Sequence, residues 1–214
     1  MLWTDPPYGV SYVGRTRDRL EITNDTSSQL AVLLRAAFSS IDRVLAPGSP
    51  LYVAHPAGAL QAVFIAAFLE AGWSLRQSLV WVKDTMVLGR SDYHYQHEPL
   101  LYGYKPTDTG RLGRGGAGWH GDNSQTSVFA IDRPRASAEH PTMKPPELIE
   151  AMVGNSSHRR AVVLDPFAGS GSTLIACERL GRRARLIEID PRYCDVIVAR
   201  YEALTRRQVR RRVV

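Results

Sequence analysis

The sequence predicts an α/β fold in which a mostly parallel sheet carries helices on both faces. Short apolar segments alternate along the chain with longer segments whose apolar residues recur at helical spacing, which is the pattern of strands buried between two layers of helices. The chain has 214 residues, of which 44% are hydrophobic and 22% are charged, as expected for one well-buried domain. We therefore expect a single domain over residues 1–214.

The candidate strands and helices alternate in chain order. The strands are Leu51–His55, Leu79–Lys83, Pro99–Tyr104, Ala161–Leu164 and Ala184–Glu188. The helices are Ser27–Leu45, Gly58–Ala71, Pro146–Val153, Ser172–Leu180 and Pro191–Thr205. Proline at a helix start is favoured, because the first turn does not use the missing amide hydrogen. The segment 107–139 interrupts the alternation: it is glycine-rich, polar and basic, and too long for a routine connection.

Composition excludes several classes of protein. Cys177 and Cys194 are too few for a disulfide scaffold or a four-cysteine zinc site. His94, His97 and Glu98 match no standard zinc pattern, so we interpret them as a polar cluster at a strand edge. No apolar run reaches the roughly 18 residues of a membrane helix, and the first residues lack the layout of a signal peptide, so we expect a cytoplasmic protein. The net charge of +6 favours a polyanionic partner such as nucleic acid.

The stretch VVLDPFAGSGSTLIACERLG, residues 162–181, predicts a ligand site. A buried strand ends in Asp165, a glycine-rich turn follows, and a helix begins near Ser172, so backbone amides and a helix N-terminus face a ligand. The phosphate loop is excluded because Gly-Lys-Ser/Thr is absent, and the dinucleotide fingerprint would need a small residue where Leu174 stands. Asp165 suits an amine, and Glu188 at the end of the next strand suits ribose hydroxyls. S-adenosylmethionine meets these requirements.

Four motifs resemble those of the DNA amino-methyltransferases, which methylate adenine N6 or cytosine N4. DPPYG, which begins at Asp5, resembles the catalytic motif, and DPFAGSGST, which begins at Asp165, resembles the cofactor loop. EHPTMKPPELIE resembles the segment that leads into this loop, and LIEIDPRYCD the ribose-binding strand with its helix. The catalytic motif comes first, which is the permuted order also found in phage or prophage modification methylases. The resemblance implies a Rossmann-like methyltransferase fold with one antiparallel strand.

The resemblance also implies roles for individual residues. Asp5, Pro6, Pro7 and Tyr8 would form the target pocket: the Asp5 carboxylate and the Pro6 carbonyl would each accept an N–H of the amine. Tyr8 would stack on a base flipped out of the duplex. The cofactor would contact Thr142, Lys144, Asp165, Phe167, Gly169, Gly171, Ser172, Thr173 and Glu188. Among these, Thr142 and Lys144 would hold its carboxylate, Ser172 and Thr173 would cap the helix start, and no metal ion is required.

Target recognition is expected from the segment 107–139. Arg111 and Arg114 would reach guanine edges or phosphates of double-stranded DNA, and Trp119 would enter a gap in the base stack. The alternative interpretation of this segment is a solvated loop.

The resemblance implies methylation of adenine N6 in DNA, because Asp at the first position of DPPY favours adenine as the target base. Cytosine-N4 methylation is the runner-up, and transfer to protein glutamine or RNA is a third alternative. Only residues 1–4 precede Asp5, so we expect an edge strand to be missing beside the ribose-binding strand. This shortening makes a catalytically inert DNA-binding remnant a further alternative. A homodimer is compatible with the resemblance, although the sequence does not define the oligomeric state.

Overall fold

The computed structural model describes residues 1–10, 27–89, 91–134 and 143–212. The strands are β1 (Leu2–Thr4), β2 (Pro50–Ala54), β3 (Ser74–Val87), β4 (Tyr95–Tyr104), β5 (Val128–Ala130), β6 (Val162–Asp165) and β7 (Arg183–Leu186). The helices are α1 (Ser27–Asp42), α2 (Gln61–Glu70), α3 (Pro146–Ser156), α4 (Ser172–Leu180) and α5 (Pro191–Thr205). In these ranges no helix is both long and apolar enough to cross a bilayer.

The strands of the described ranges form one sheet in the order β5-β3-β4-β2-β1-β6-β7. Neighbouring strands are parallel, except that β4 runs antiparallel to both β2 and β3. The predicted α/β fold with a mostly parallel sheet and one antiparallel strand is therefore confirmed. Strand β7 pairs only with β6 within the described ranges, and the missing edge strand stays a prediction.

Two apolar clusters cover the two faces of the sheet. Alternate residues of a strand point to opposite faces, so Leu2 and Leu51 enter the cluster formed with α1 and α2. Trp3 and Tyr52 enter the cluster formed with α3 and α4. The three-residue strand β1 is buried throughout and lies inside the sheet between β2 and β6, where it contributes to both clusters.

The differences between predicted and observed elements concentrate in β3, β4 and β5. Strands β3 and β4 form an antiparallel hairpin whose outer ends are exposed, so those ends lack the apolar pattern that identifies a buried strand. Strand β5 lies within the segment expected to be an insertion and pairs in parallel with β3. Helices α4 and α5 have the predicted bounds, whereas α1 ends earlier, α2 starts later and α3 continues further than predicted.

The direction of the strands determines which residues meet at the edge where β1, β2, β6 and β7 end, which we call the carboxyl edge. Asp5 directly follows β1, and Asp165 is the last residue of β6. Because β4 is antiparallel to β2, the first half of β4 reaches the same edge: the His55 amide after β2 donates to the Pro99 carbonyl at 3.2 Å. Glu98 therefore lies at the carboxyl edge together with Asp5.

Candidate active site

The turn DPPYG leaves β1 at the carboxyl edge. Pro6 is buried, whereas Asp5, Pro7 and Tyr8 are half-buried, and Gly9 has a φ of 74°, which favours glycine. The Asp5 Oδ2 atom accepts a hydrogen bond from Lys144 Nζ at 2.7 Å. The Asp5 Oδ1 atom is buried and has no hydrogen-bond partner among the described residues. One carboxylate oxygen is therefore held by Lys144, and the other is a buried acceptor without a hydrogen-bond partner in the described ranges.

Asp5 belongs to a network of two carboxylates and two ammonium groups. Lys144 Nζ lies 2.7 Å from Asp5 Oδ2 and 3.1 Å from Glu98 Oε2. Lys83 Nζ lies 2.5 Å from Glu98 Oε1, and the Tyr8 hydroxyl donates to Glu98 Oε2 at 3.0 Å. The Lys144 ammonium also lies 5.0 Å from the centroid of the Tyr8 ring. The four charges balance in a region where both lysine side chains are buried.

Burial and charge act in opposite directions on the pKa values of this network. Burial raises the pKa of Asp5, and Lys144 opposes this effect. Burial would also raise the pKa of Glu98, but Lys144 and Lys83 outweigh it and lower the pKa to about 2. Burial would lower the pKa of Lys144, but Asp5 and Glu98 outweigh it and raise the pKa above its ordinary value. Glu98 and Lys144 are therefore charged at neutral pH.

The glycine-rich loop between β6 and α4 is joined to the DPPYG turn through Asp165. Thr4 Oγ1 donates to Asp165 Oδ1 at 3.1 Å. The Phe167 amide donates to the same oxygen at 3.2 Å, and Thr173 Oγ1 donates to Asp165 Oδ2 at 2.5 Å. Asp165 is 2% exposed, and these contacts link the end of β1 to the start of α4. Its predicted contact with an amine stays a prediction.

We expect Asp165→Asn to flatten part of the pH dependence of stability. Burial raises the pKa of Asp165 from its ordinary value of 3.8 to about 7, so the folded chain holds a proton that the unfolded chain has already released. The free energy of unfolding therefore falls as the pH rises from about 4 to about 7. The asparagine variant lacks this contribution and should lose less stability over that interval.

Urea unfolding at a series of pH values measures this difference. Asp108→Asn, at an exposed position, is the matched control and should follow the unsubstituted protein. Parallel stability curves for Asp165→Asn and the unsubstituted protein would contradict the prediction.

Glu188, two residues after β7, holds the loop from its other side. Its Oε2 atom accepts the Gly169 amide at 2.7 Å, and its Oε1 atom accepts the Asp190 amide at 2.9 Å. The half-buried carboxylate therefore lies at the carboxyl end of β7 and beside the glycine loop. This position is compatible with the predicted contact to ribose hydroxyls, because each oxygen retains a lone pair.

The start of α4 fits a closely approaching ligand. Gly171 has a φ of 78°, and a Cβ atom there would lie 2.9 Å from Ile197 Cγ1 of α5, so the position requires glycine. Ser172 Oγ is buried and has no hydrogen-bond partner among the described residues, which leaves a polar group beside the amides of the helix N-terminus. The predicted capping by Ser172 and Thr173 is wrong: no side chain caps α4, because Thr173 donates to Asp165 instead.

Three other predicted cofactor contacts have different outcomes. Phe167 is half-buried within the loop, as expected for a residue near the cofactor. Lys144 is paired with Asp5 and Glu98, because the segment before α3 enters the carboxyl edge beside β1; its contact with a cofactor carboxylate stays a prediction. Thr142 lies outside the described residues.

The segment that carries Arg111, Arg114 and Trp119 lies at the opposite edge of the sheet. Lys105, which follows β4, exchanges backbone hydrogen bonds with residues 48 and 49 ahead of β2, and the His120 amide donates to the Asn155 carbonyl near the end of α3. Arg114 and Trp119 border a cavity of about 440 Å³ there. The structure does not bring these three residues together with Asp5, and their contact with DNA stays a prediction.

Sequence reasoning missed Glu98 and Lys83 as parts of the site. The sequence interpretation placed Glu98 in a polar strand-edge cluster, and only the antiparallel direction of β4 brings it to Asp5. His55 is also buried at this edge: its Nδ1 atom contacts the Pro56 carbonyl at 3.0 Å, and burial lowers its pKa. Within the described ranges, no group of three His, Cys, Asp or Glu side chains could hold a metal ion.

The chain is similar to known proteins. A family model for N6 and N4 methyltransferases, described as DNA methylase, matches residues 1–199. The protein YubD of Escherichia coli, named as a putative methylase, is 31% identical over 191 residues, which cover 89% of this chain and 76% of YubD.

Solved structures share the architecture. TTHA0409 of Thermus thermophilus, in complex with S-adenosyl-L-methionine, is similar with a TM-score of 0.66 and 25% identity, over 94% of this chain and 84% of that one. The cytosine-N4-specific PvuII DNA methyltransferase is similar with a TM-score of 0.67 and 17% identity, over 94% and 78% of the two chains. The family match over most of the chain, together with the DPPYG turn and the glycine loop, shows that this protein belongs to the DNA methylase family of N6 and N4 methyltransferases.

Proposed function

We propose that this protein transfers a methyl group from S-adenosylmethionine to the exocyclic N6 amine of adenine in double-stranded DNA. The observation that carries the proposal is the state of Asp5. Its Oδ2 atom is held by Lys144, while its buried Oδ1 atom has no hydrogen-bond partner within the described ranges. An acceptor of this kind suits the N–H of an incoming amine.

The chemistry of the amine explains why the turn contains an acid and two prolines. An exocyclic amine is a weak nucleophile, because its lone pair is delocalised into the ring. Asp5 Oδ1 and the Pro6 carbonyl would accept its two N–H groups and favour a tetrahedral nitrogen. Pro6 and Pro7 stiffen the turn and remove competing backbone donors, and Tyr8 would stack on the flipped base. The proton that the nitrogen releases passes to Asp5 and then to water.

The loop beside the turn would hold the cofactor. S-adenosylmethionine, when bound, supplies an electrophilic methyl group and retains the C–S electron pair on sulfur. Glu188 would accept hydrogen bonds from the ribose, and the glycines at 169 and 171 would admit the methionine part to the start of α4. The buried Ser172 hydroxyl, which lacks a hydrogen-bond partner among the described residues, supports a polar ligand at this position.

Adenine is proposed over cytosine because Asp is the first residue of the DPPY motif, and cytosine N4 is the competing target. Long-read modification sequencing of DNA from expressing cells, combined with mass analysis of its nucleosides, tests the proposal. We expect N6-methyladenine with the unsubstituted protein and none with Asp5→Ala. N4-methylcytosine alone would replace adenine with cytosine as the target. Salt-sensitive DNA binding without methylation would overturn the proposal and favour the inert remnant.

A further inference from the structure

We propose that Glu98 is a positioning residue for methyl transfer: anchored by Lys83, it holds the Lys144 ammonium against one oxygen of Asp5 and so keeps Lys144 away from the other oxygen, the acceptor for the target amine. The inference rests on the proposed function, because it assigns a role to a residue that acts through Asp5. Glu98 does not touch the amine in this arrangement. It acts through the groups that contact it.

The geometry joins Glu98 to both sides of the target pocket. Its Oε2 atom receives the Tyr8 hydroxyl at 3.0 Å and lies 3.1 Å from Lys144 Nζ. Its Oε1 atom lies 2.5 Å from Lys83 Nζ, so both oxygens have partners. Strand β4 fixes its backbone, since Glu98 is opposite Trp81 in the register with β3. The carboxylate therefore connects a rigid strand to the two pocket residues Tyr8 and Lys144.

The Glu98 carboxylate restricts the Lys144 ammonium to a single position. A lysine ammonium sits at the end of a flexible side chain with three rotatable donors. With Asp5 as its only anionic partner, the ammonium could move between the two carboxylate oxygens. Glu98 holds the ammonium on the side of Asp5 Oδ2, which is 2.7 Å away. The Asp5 Oδ1 atom then remains available to the target amine.

Stability alone does not account for this network. Buried ion pairs lose solvation free energy, and well-packed apolar side chains of similar volume are often equally stable or more stable. The two lysine side chains are 7% and 8% exposed, and the network borders the turn that matches the catalytic motif. A role in setting the charge and orientation of Asp5 accounts for both its composition and its location.

Titratable groups from several elements lie at the carboxyl edge around Asp5. Lys144 precedes α3, Glu98 lies on β4 and Lys83 on β3. Among the described residues, Tyr8 of the same turn, His55 after β2 and Asp165 at the end of β6 are further titratable groups at this edge. Lys144 lowers the pKa of Asp5, whereas Glu98 raises it. Removing these two charges one at a time should therefore move the acidic limb of the activity profile in opposite directions.

The experiment measures methyl incorporation into DNA against pH for four variants. Glu98→Gln should lower kcat by about 10- to 100-fold, the effect of a small displacement of a reacting group, and shift the acidic limb to lower pH. Lys144→Met should lower kcat and shift the limb to higher pH. The losses should not multiply in the double variant Glu98→Gln/Lys144→Met, because Glu98 acts mainly through Lys144 and only the contact with Tyr8 is lost in addition. Arg35→Gln breaks the exposed pair with Glu70 and should match the unsubstituted protein.

Several results would overturn the inference. One such result is an unchanged kcat together with an unchanged pH profile for Glu98→Gln. Another is a double variant in which the decrease in kcat equals the product of the decreases in the two single variants. Thermal unfolding checks that each variant folds. If Glu98→Gln does not fold, Lys83→Met is the alternative test. It removes the Lys83 ammonium that holds Glu98, and it retains the Glu98–Lys144 pair. A lower kcat for Lys83→Met supports the inference, and an unchanged kcat contradicts it. Absence of methylation by the unsubstituted protein would instead contradict the proposed function.

Discussion

Asp5→Asn is expected to reduce kcat for DNA methylation by a factor on the order of 10² to 10⁴, the range for a positioned proton acceptor. The physical reason is the orientation that Lys144 imposes. Its ammonium requires an acceptor at the position of Asp5 Oδ2, 2.7 Å away, so the amide oxygen would turn to Lys144. The amide nitrogen would then occupy the position of Oδ1 and present a donor to the N–H of the target amine.

Methyl incorporation from labelled S-adenosylmethionine measures this effect. Titration of the same cofactor should give a similar dissociation constant for Asp5→Asn and the unsubstituted protein, because Asp165 and Glu188 hold the glycine loop independently of Asp5. Asp195→Asn, at an exposed position on α5, controls for the loss of one negative charge and should retain full activity. Retention of most activity by Asp5→Asn would mean that Asp5 is not the acceptor.

Gly171→Ala is expected to destabilise the fold by about 2–5 kcal/mol, the sum of a strained left-handed backbone and an overpacked contact. The backbone contribution arises because Gly171 has a φ of 78°. The packing contribution arises because the new Cβ would lie 2.9 Å from Ile197 Cγ1. Since the loop must shift to relieve the contact, cofactor binding should weaken as well. Urea unfolding and cofactor titration measure the two effects.

Ile197→Ala separates the two contributions. In the double variant the smaller side chain removes the close contact, while the positive φ at residue 171 remains. We therefore expect Gly171→Ala to cost less stability in the Ile197→Ala background than in the unsubstituted protein. Equal costs in both backgrounds would assign the whole effect to the backbone, and unchanged cofactor binding by Gly171→Ala would remove the glycine loop from the proposed binding site.

The parts of the fold that could be predicted from sequence are those with local signals. Helix α4 is bounded by Gly171 and Gly181, both in left-handed conformation, and α5 begins with Pro191 after the capping residue Asp190. Both helices have the predicted limits. The ends of β3 and β4 are exposed on the hairpin, and β5 has only three residues, so neither has a hydrophobic pattern that distinguishes a strand from a loop.

The residues of the candidate site also differ in whether a local sequence signal identifies them. Asp5, Asp165 and Glu188 belong to short contiguous motifs, so each could be identified without knowing the sheet order. Glu98 could not, because its distance to Asp5 depends on the antiparallel direction of β4. The same direction places the chain after β4, including Trp119, at the edge of the sheet opposite the DPPYG turn.

The pairing of β1 also has a consequence for how the protein folds. Strand β1 lies between β2 and β6, and the hydrogen bond from Thr4 to Asp165 spans 161 residues of sequence. Contacts between residues so far apart in sequence form late, because the chain loses loop-closure entropy before these contacts stabilise the fold. During synthesis from the N-terminus, β1 is made long before β6 and waits for β6 to emerge. The DPPYG turn and the glycine loop are thus expected to become ordered in one late, shared step.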